Sequence, residues 1–248
     1  MSHYPFNSST HTTTPQGFVR HPHQPRRGYN TSNAWNSITK TKEWSDTPVE
    51  HSDAYKIVIV LDESSSMGCI SEKMVSSLND LICEQKTVDR ACKFTLVKFN
   101  ENVQRVVCST NLAHVEPLTS STYHPNGTTA LYDAVGDTIN WFRYESNVLL
   151  VVITDGQENA SSKYRKEQVL QMLKEKEQHR GWSSVYLGCD LSIAAQGDTL
   201  GFKRSKQASN CCVAQSEYGN FVSNDLSDAI KNHRVKGVSV QYQLNRKF

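Results

Sequence analysis

Residues 55–62 read YKIVIVLD and residues 147–154 read NVLLVVIT, two nearly continuous runs of aliphatic and β-branched side chains. A run without polar alternation marks a strand covered on both faces, the position strands take in the middle of a parallel sheet. Working outward from the first run, residues 70–86 (ISEKMVSSLNDLICEQK) place Met74, Leu78, Leu81 and Ile82 on one stripe, which predicts a helix laid over that sheet. FTLVKFN (94–100) and VQRVVCS (103–109) are separated only by the polar stretch around Asn100, Glu101 and Asn102. That gap is too short for a crossover, so the two segments are expected to form an antiparallel hairpin at one edge. Residues 129–143 carry Leu131, Val135, Ile139 and Phe142 on one helical face and lead into the second apolar run. A helix near 163–179, a strand at 183–188, a short helix near 190–200, a possible strand at 210–215 and a helix near 217–233 continue the alternation. Such alternation predicts an α/β fold, a doubly wound, Rossmann-like, mostly parallel sheet with one antiparallel edge strand and helices on both faces.

The domain is expected to span residues 53–235, between an N-terminal tail (1–52) and a C-terminal tail (236–248). Residues 1–52 are rich in Ser, Thr, Asn, His and Pro, show neither period, and are expected to be disordered because they bury too little apolar surface. Their histidines match no zinc spacing and are read as part of a solvated arm. The formal net charge of +2 sits in this tail, which holds five Lys/Arg and three Asp/Glu, leaving 22 of each sign in the rest. A balanced body without a basic stripe gives no electrostatic case for nucleic acid. No run is long and apolar enough for a membrane span, and the N-terminus lacks the apolar core of a signal peptide, so a cytoplasmic protein is expected. The seven cysteines contain no C-x-x-C pair and are read as reduced core residues, Cys211 and Cys212 included.

In doubly wound sheets the site lies beyond the carboxyl ends of the central strands. The first strand ends in Asp62-Glu63-Ser64-Ser65-Ser66, so Asp62, Ser64 and Ser66 alternate in one loop and can aim three oxygens at one point. The strand at 147–154 leads into Asp155-Gly156, and Thr128 and Thr129 stand where the intervening helix starts. Two carboxylates and three hydroxyls, with no His or Cys, suit a hard divalent cation such as Mg²⁺, Mn²⁺ or Ca²⁺. Neutral hydroxyl donors leave a bound cation much of its charge, which predicts a receptor for one more anionic oxygen.

These stretches carry a family resemblance. VIVLDESSSM (58–67) resembles the D-x-S-x-S motif of von Willebrand factor type A domains, GTTALYDAV (127–135) the segment bearing their ligand threonine, and VVITDGQEN (151–159) their T-D-G motif. SSVYLGCDLSIAAQGDTLGF (183–202) is similar to the fifth strand and following helix of small microbial and phage-type members, and Ser65 departs from the glycine many relatives carry. The resemblance implies a metal-ion-dependent adhesion site made of Asp62, Ser64, Ser66, Thr129 and Asp155, with Thr129 preferred over Thr128 by the T-x-L-Y-D-A pattern. It also implies a protein partner that donates an Asp or Glu to the cation.

Other polar residues near these loops have plainer readings. Glu63 and Glu158 are read as solvent-exposed, His114 and His124 as solvated loop residues, and Asp133 and Asp137, four apart, as a solvated helix face. An Mg²⁺- or Mn²⁺-dependent phosphohydrolase is the competing function, although the chain has no Walker loop, no G-x-S-x-G elbow and no base beside the carboxylates. A scaffold without metal is the third.

Overall fold

The computed structural model of the protein describes residues 54–202 and 207–246, so the expected N-terminal tail lies outside the described residues. β1 (Tyr55–Asp62) and β4 (Val148–Ile153) are the two apolar runs, and they pair in parallel at the centre of a six-stranded sheet. β2 (Cys92–Phe99), β5 (Ser183–Gly188) and β6 (Ala208–Cys212) extend the parallel part. β3 (Val103–Asn111) returns antiparallel on β2 and gives the order β3-β2-β1-β4-β5-β6. β3 is mostly exposed and carries Gln104 and Arg105, the polar character that discourages an edge strand from pairing with another chain.

Period-two alternation divides the core of β1. Ile57, Ile59 and Leu61 pack with Met74, Leu78 and Leu81 of α1 (Ser71–Lys86), whereas Val58 and Val60 pack with Leu131, Val135 and Ile139 of α2 (Leu131–Trp141). α3 (Lys166–His179) and α4 (Leu191–Thr199) complete the α2 side through Val169, Leu173 and Ile193. The α1 side is completed by a continuous helical run from Tyr218 to Lys236: α5 (Tyr218–Asn220), a π-helical stretch (Phe221–Leu226) and α6 (Ser227–Lys236). Both faces of the sheet are therefore covered, as the unbroken apolar runs require.

Residues 236–248, expected as a C-terminal tail, include α7 (Val240–Asn245), whose Val240 and Leu244 are buried against the α1-side core. Six residues are too few to display a helical period, which is why the sequence does not announce this helix. The cysteines depart from expectation as well. Cys92 and Cys211 are buried, but Cys69, Cys83, Cys108 and Cys212 are exposed and Cys189 is half-buried, all as free thiols. Cys211 and Cys212 do alternate across β6, so only the first of the pair enters the core. Among the described residues no helix is long and apolar enough to cross a membrane.

Candidate metal centre

Sheet order reverses between β1 and β4: from β1 the chain builds outward to β2 and β3, and from β4 to β5 and β6. The loops leaving these two strands diverge and open a crevice at their carboxyl ends. Asp62 closes β1 and is fully buried. Its Oδ1 accepts the Ser64 amide at 2.7 Å and its Oδ2 accepts the Thr154 hydroxyl at 2.5 Å. The first bond folds the loop back on its own aspartate, so the Ser64 and Ser66 hydroxyl oxygens come to 3.2 Å from each other. Ser66 in turn donates to Asp155 Oδ1 at 2.5 Å across the crevice.

Thr129 precedes α2 rather than starting it, and it is buried. Its amide donates to Asn159 Oδ1 at 2.9 Å, while its carbonyl accepts the Asn159 and Ala160 amides at 3.0 and 3.2 Å. The turn after Asp155 thus clamps the threonine backbone. Gly156 locates the convergence point. A Cβ added there would meet Thr129 Oγ1 at 2.7 Å, Asp62 Oδ2 at 3.3 Å and Ser64 Oγ at 3.5 Å. Oxygens from two separate loops therefore ring, against a third that carries the glycine, a space that the missing side chain leaves open. With Ser66 and Asp155 joined to the same cluster, the structure brings all five sequence-predicted residues together.

Electrostatics match the geometry. Among the described residues neither Asp62 nor Asp155 is ion-paired with a Lys, Arg or His. Burial pushes the Asp62 carboxyl up to about 6; bonds from Thr154 and Ser64 oppose the rise and the Asp155 charge adds to it. Asp155 is raised too, chiefly by burial, against the lowering bond from Ser66. Two close carboxylates, each less willing to ionise alone, form a donor set that a cation would relieve. Among the described residues no three His, Cys, Asp or Glu side chains cluster to hold a metal. The donor set around Gly156 is two carboxylates with hydroxyls, all oxygen, a chemistry that fits a hard divalent ion.

Several neighbours were not legible as site residues. Gln215, in the turn after β6, donates its amide to Asp155 Oδ2 and to the Ser66 carbonyl at 3.1 Å, and accepts from the Cys69 thiol at 3.2 Å. Tyr123 and Tyr218 donate to the Asp62 and Thr154 carbonyls at 2.6 and 2.8 Å, fixing both strand ends. Glu63, expected in solvent, is buried; it pairs with Lys98 at 2.8 Å and accepts the His124 amide at 2.5 Å. Glu158, half-buried, accepts the amides of Tyr132, Ala160 and Ser161, so it caps α2 and holds the turn after Asp155. Asp133 is buried, not solvated, and accepts the amides of Ser162, Lys163 and Tyr164 at 2.9 Å each. Asp137 meets Lys163 at 2.8 Å. His114 and His124 are exposed, as the plain reading has them. A cavity of about 580 Å³ opens beside the rim, with Gly68, Glu72, Tyr123 and Asn126 in its wall.

A family model described as von Willebrand factor type A domain matches residues 56–196, a stretch that contains all five residues. Among solved structures, the von Willebrand factor type A protein from Catenulispora acidiphila is 11% identical, covering 73% of this chain and 42% of that one with a TM-score of 0.49. Proximal thread matrix protein 1 from the mussel byssus, solved with a zinc-occupied MIDAS motif, is 17% identical over 73% of this chain and 46% of that one, with a TM-score of 0.47. The manganese-loaded TRAP protein of Plasmodium vivax is 18% identical over 68% of this chain and 72% of that one, also at 0.47. The chain spans less than half the length of the first two proteins. A comparison with curated proteins gives no match.

Proposed function

The chain belongs to the von Willebrand factor type A domain family, and from that premise we propose that it is a divalent-cation-dependent binding module for an acidic group on a protein partner. Domains of this family are typically adhesion or binding modules and are generally non-catalytic. Asp62, Ser64, Ser66, Thr129 and Asp155 would hold the cation, with Mg²⁺ first and Mn²⁺ or Ca²⁺ as alternatives. A bound cation supplies an electrophilic centre for a partner's Asp or Glu carboxylate. The observation that carries the reading is the space at Gly156, ringed by oxygens of Thr129, Asp62 and Ser64.

The chain's own residues divide the work. The Asp62 carboxylate orders the loop by accepting the Ser64 amide, so the buried Ser64 hydroxyl and the exposed Ser66 hydroxyl come together at the crevice. Gln215 fixes the Asp155 carboxylate from behind, the orienting role that outer hydrogen-bond partners play at metal sites. Ser66, exposed at the lip, is where an incoming carboxylate would first meet the centre. The cavity beside Glu72 and Asn126 leaves room for residues flanking the acid.

The test is titration of the full chain with Mg²⁺, Mn²⁺ and Ca²⁺, followed by partner capture from lysate with and without chelator. One saturable cation site is expected, lost in Asp155→Ala, together with partners released by chelator and absent from the variant. Capture indifferent to chelator and to Asp155→Ala overturns the binding reading. A titration without heat supports the metal-free scaffold instead. Hydrolysis of phosphate esters that disappears in Ser64→Ala turns the module into a metal-dependent hydrolase.

A further inference from the structure

At the opposite end of the sheet, where β1, β4 and β5 begin, lies a second cavity of about 530 Å³. Its polar wall is made by Tyr55, Arg90, Asn147, Ser183, His233 and Arg234. Arg234 is only 3% exposed. Its guanidinium donates to the carbonyls of Gln85 at 2.6 Å, Val88 at 3.3 Å and Arg90 at 2.7 Å, and to Gln85 Oε1 at 3.2 Å. Arg90 returns a bond to the Arg234 carbonyl at 2.5 Å. These bonds close the end of α1, a structural task, but every acceptor is neutral. Among the described residues the buried Arg234 Nε–H has no acceptor.

Arg90 and Arg234 thus each donate to the other's backbone carbonyl. Among the described residues neither is in an ion pair, and no carboxylate lines the cavity. Glu145, the carboxylate engaged with Lys56 at 3.2 Å, is taken by that lysine. Burial holds Arg234 below its ordinary value against the opposing pull of Cys92 and Tyr55, and the Arg90 charge presses the same way as burial, so an anion there would favour the charged guanidinium. The His233 ring lies 5.0 Å from that of Tyr55, and its Nδ1 is 3.1 Å from the Val238 carbonyl, which fixes the imidazole against the cavity wall.

We propose that this cavity is a binding site for a small phosphate-bearing anion, separate from the cation centre and independent of the function assigned to it. Two adjacent arginines carry a double positive charge that matches a phosphate monoester dianion better than a single carboxylate. Arg90 spends one guanidinium N–H on the Arg234 carbonyl and keeps the others, and Arg234 adds its uncommitted Nε–H, charge-assisted donors of the kind that suit phosphate oxygens. The volume falls within the roughly 300–1,000 Å³ of small-molecule sites. Asn147 and Ser183 supply neutral polar contacts for the body of the molecule.

The experiment uses the full chain in excess chelator, so that no cation at the far rim can recruit phosphate. Inorganic phosphate and acetate are titrated calorimetrically at constant ionic strength, and amide shifts are followed in parallel. Saturable phosphate binding is expected, with acetate at least about tenfold weaker and shifts centred on residues 54–55, 90–91, 147–148, 181–183 and 233–234. Removing one charge-assisted partner in Arg90→Gln is expected to weaken phosphate about tenfold, with Arg90→Lys in between. Phosphate that fails to saturate, acetate that binds equally well, an unchanged Arg90→Gln affinity, or shifts confined to another surface overturns the assignment. Shift mapping on the unmodified chain decides the matter even where a substitution disturbs the fold.

Discussion

Two groups of carboxylates share the rim at the carboxyl end of the sheet, and the fold treats them in opposite ways. Asp133 and Glu158, beside the start of α2, are met mainly by backbone amides: three on Asp133, and three on Glu158 together with the Ser161 hydroxyl. Asp62 and Asp155, over the β1–β4 crevice, each rely on a hydroxyl, from Thr154 or Ser66, plus a single N–H donor. An amide can only donate, so a carboxylate saturated with amides is a finished structural joint. A hydroxyl can rotate and present a lone pair instead, so a carboxylate and hydroxyl that bond to each other can turn together toward a cation. The type of partner, rather than burial alone, separates the acids that hold the fold from those proposed to bind.

The sharpest way to break this contrast is to remove one charge from the crevice. Asp62→Asn is expected to lower cation affinity by about 100-fold or more, because it deletes one of two carboxylates from a hydroxyl-rich set. Stability in chelator should not fall, since an ionised Asp62 is costly where it is buried, and the Thr154 hydroxyl has the Gly156 carbonyl at 3.2 Å as another acceptor. Calorimetric titration with Mn²⁺ and thermal unfolding in chelator check both halves. A variant that binds Mn²⁺ normally removes Asp62 from the binding group.

The converse substitution is Asp133→Ala. Three amides lose their acceptor at once, and leaving buried donors unmet costs about 1–3 kcal/mol each when water cannot replace the partner. Partial access of water to this loop brings the expected loss to about 2 kcal/mol, read from the denaturant midpoint at unchanged slope. An unaltered midpoint means that the amides find solvent and that Asp133 is no joint. Gly156→Ala probes the space between the two groups. Its Cβ would fall 2.7 Å from Thr129 Oγ1, so the threonine must rotate away, and cation affinity should drop about tenfold, within the range for disturbed metal surroundings. An unchanged Mn²⁺ titration would show that Thr129 contributes no donor.

Much of this was legible in the sequence wherever the information is local. YKIVIVLD and NVLLVVIT could be placed at the sheet centre because a doubly covered strand needs no polar alternation, and the hairpin followed from the shortness of its connection. The candidate site was legible for the same reason: Asp62, Ser64 and Ser66 share one loop, and Thr129 and Asp155 stand at the ends of elements whose type was readable. Partners supplied by distant backbone were not legible. Glu63, Glu158 and Asp133 look like ordinary loop or helix acids until folding brings them amides from remote loops, and Gln215 reaches Asp155 from the far side of β6. Cys83 is a different failure. It follows Ile82 on α1 and lies off the stripe of Met74, Leu78 and Leu81, so helical spacing alone would have put it in solvent. α7 escaped because six residues show no period.

The smallest expected effect comes from pH, and it moves cation affinity and metal-free stability in opposite directions. With the Asp62 carboxyl pushed up to about 6, a proton and a cation compete for it as the solution is acidified. Between pH 7.5 and 5.5 the ionised fraction falls enough to lower cation affinity about fourfold. Metal-free stability should move the other way. The folded-state value lies above the ordinary 3.8, so the folded chain binds the proton more tightly than the unfolded one, and stability rises as pH falls through 6 toward 4. In Asp62→Asn neither slope has this contribution, so the difference between variant and unmodified chain isolates the group from every other titration. Parallel slopes in the two proteins would mean that the hydrogen bonds from Thr154 and Ser64 cancel the cost of burying the Asp62 charge, and that this carboxylate is set in the fold whether or not a cation is present.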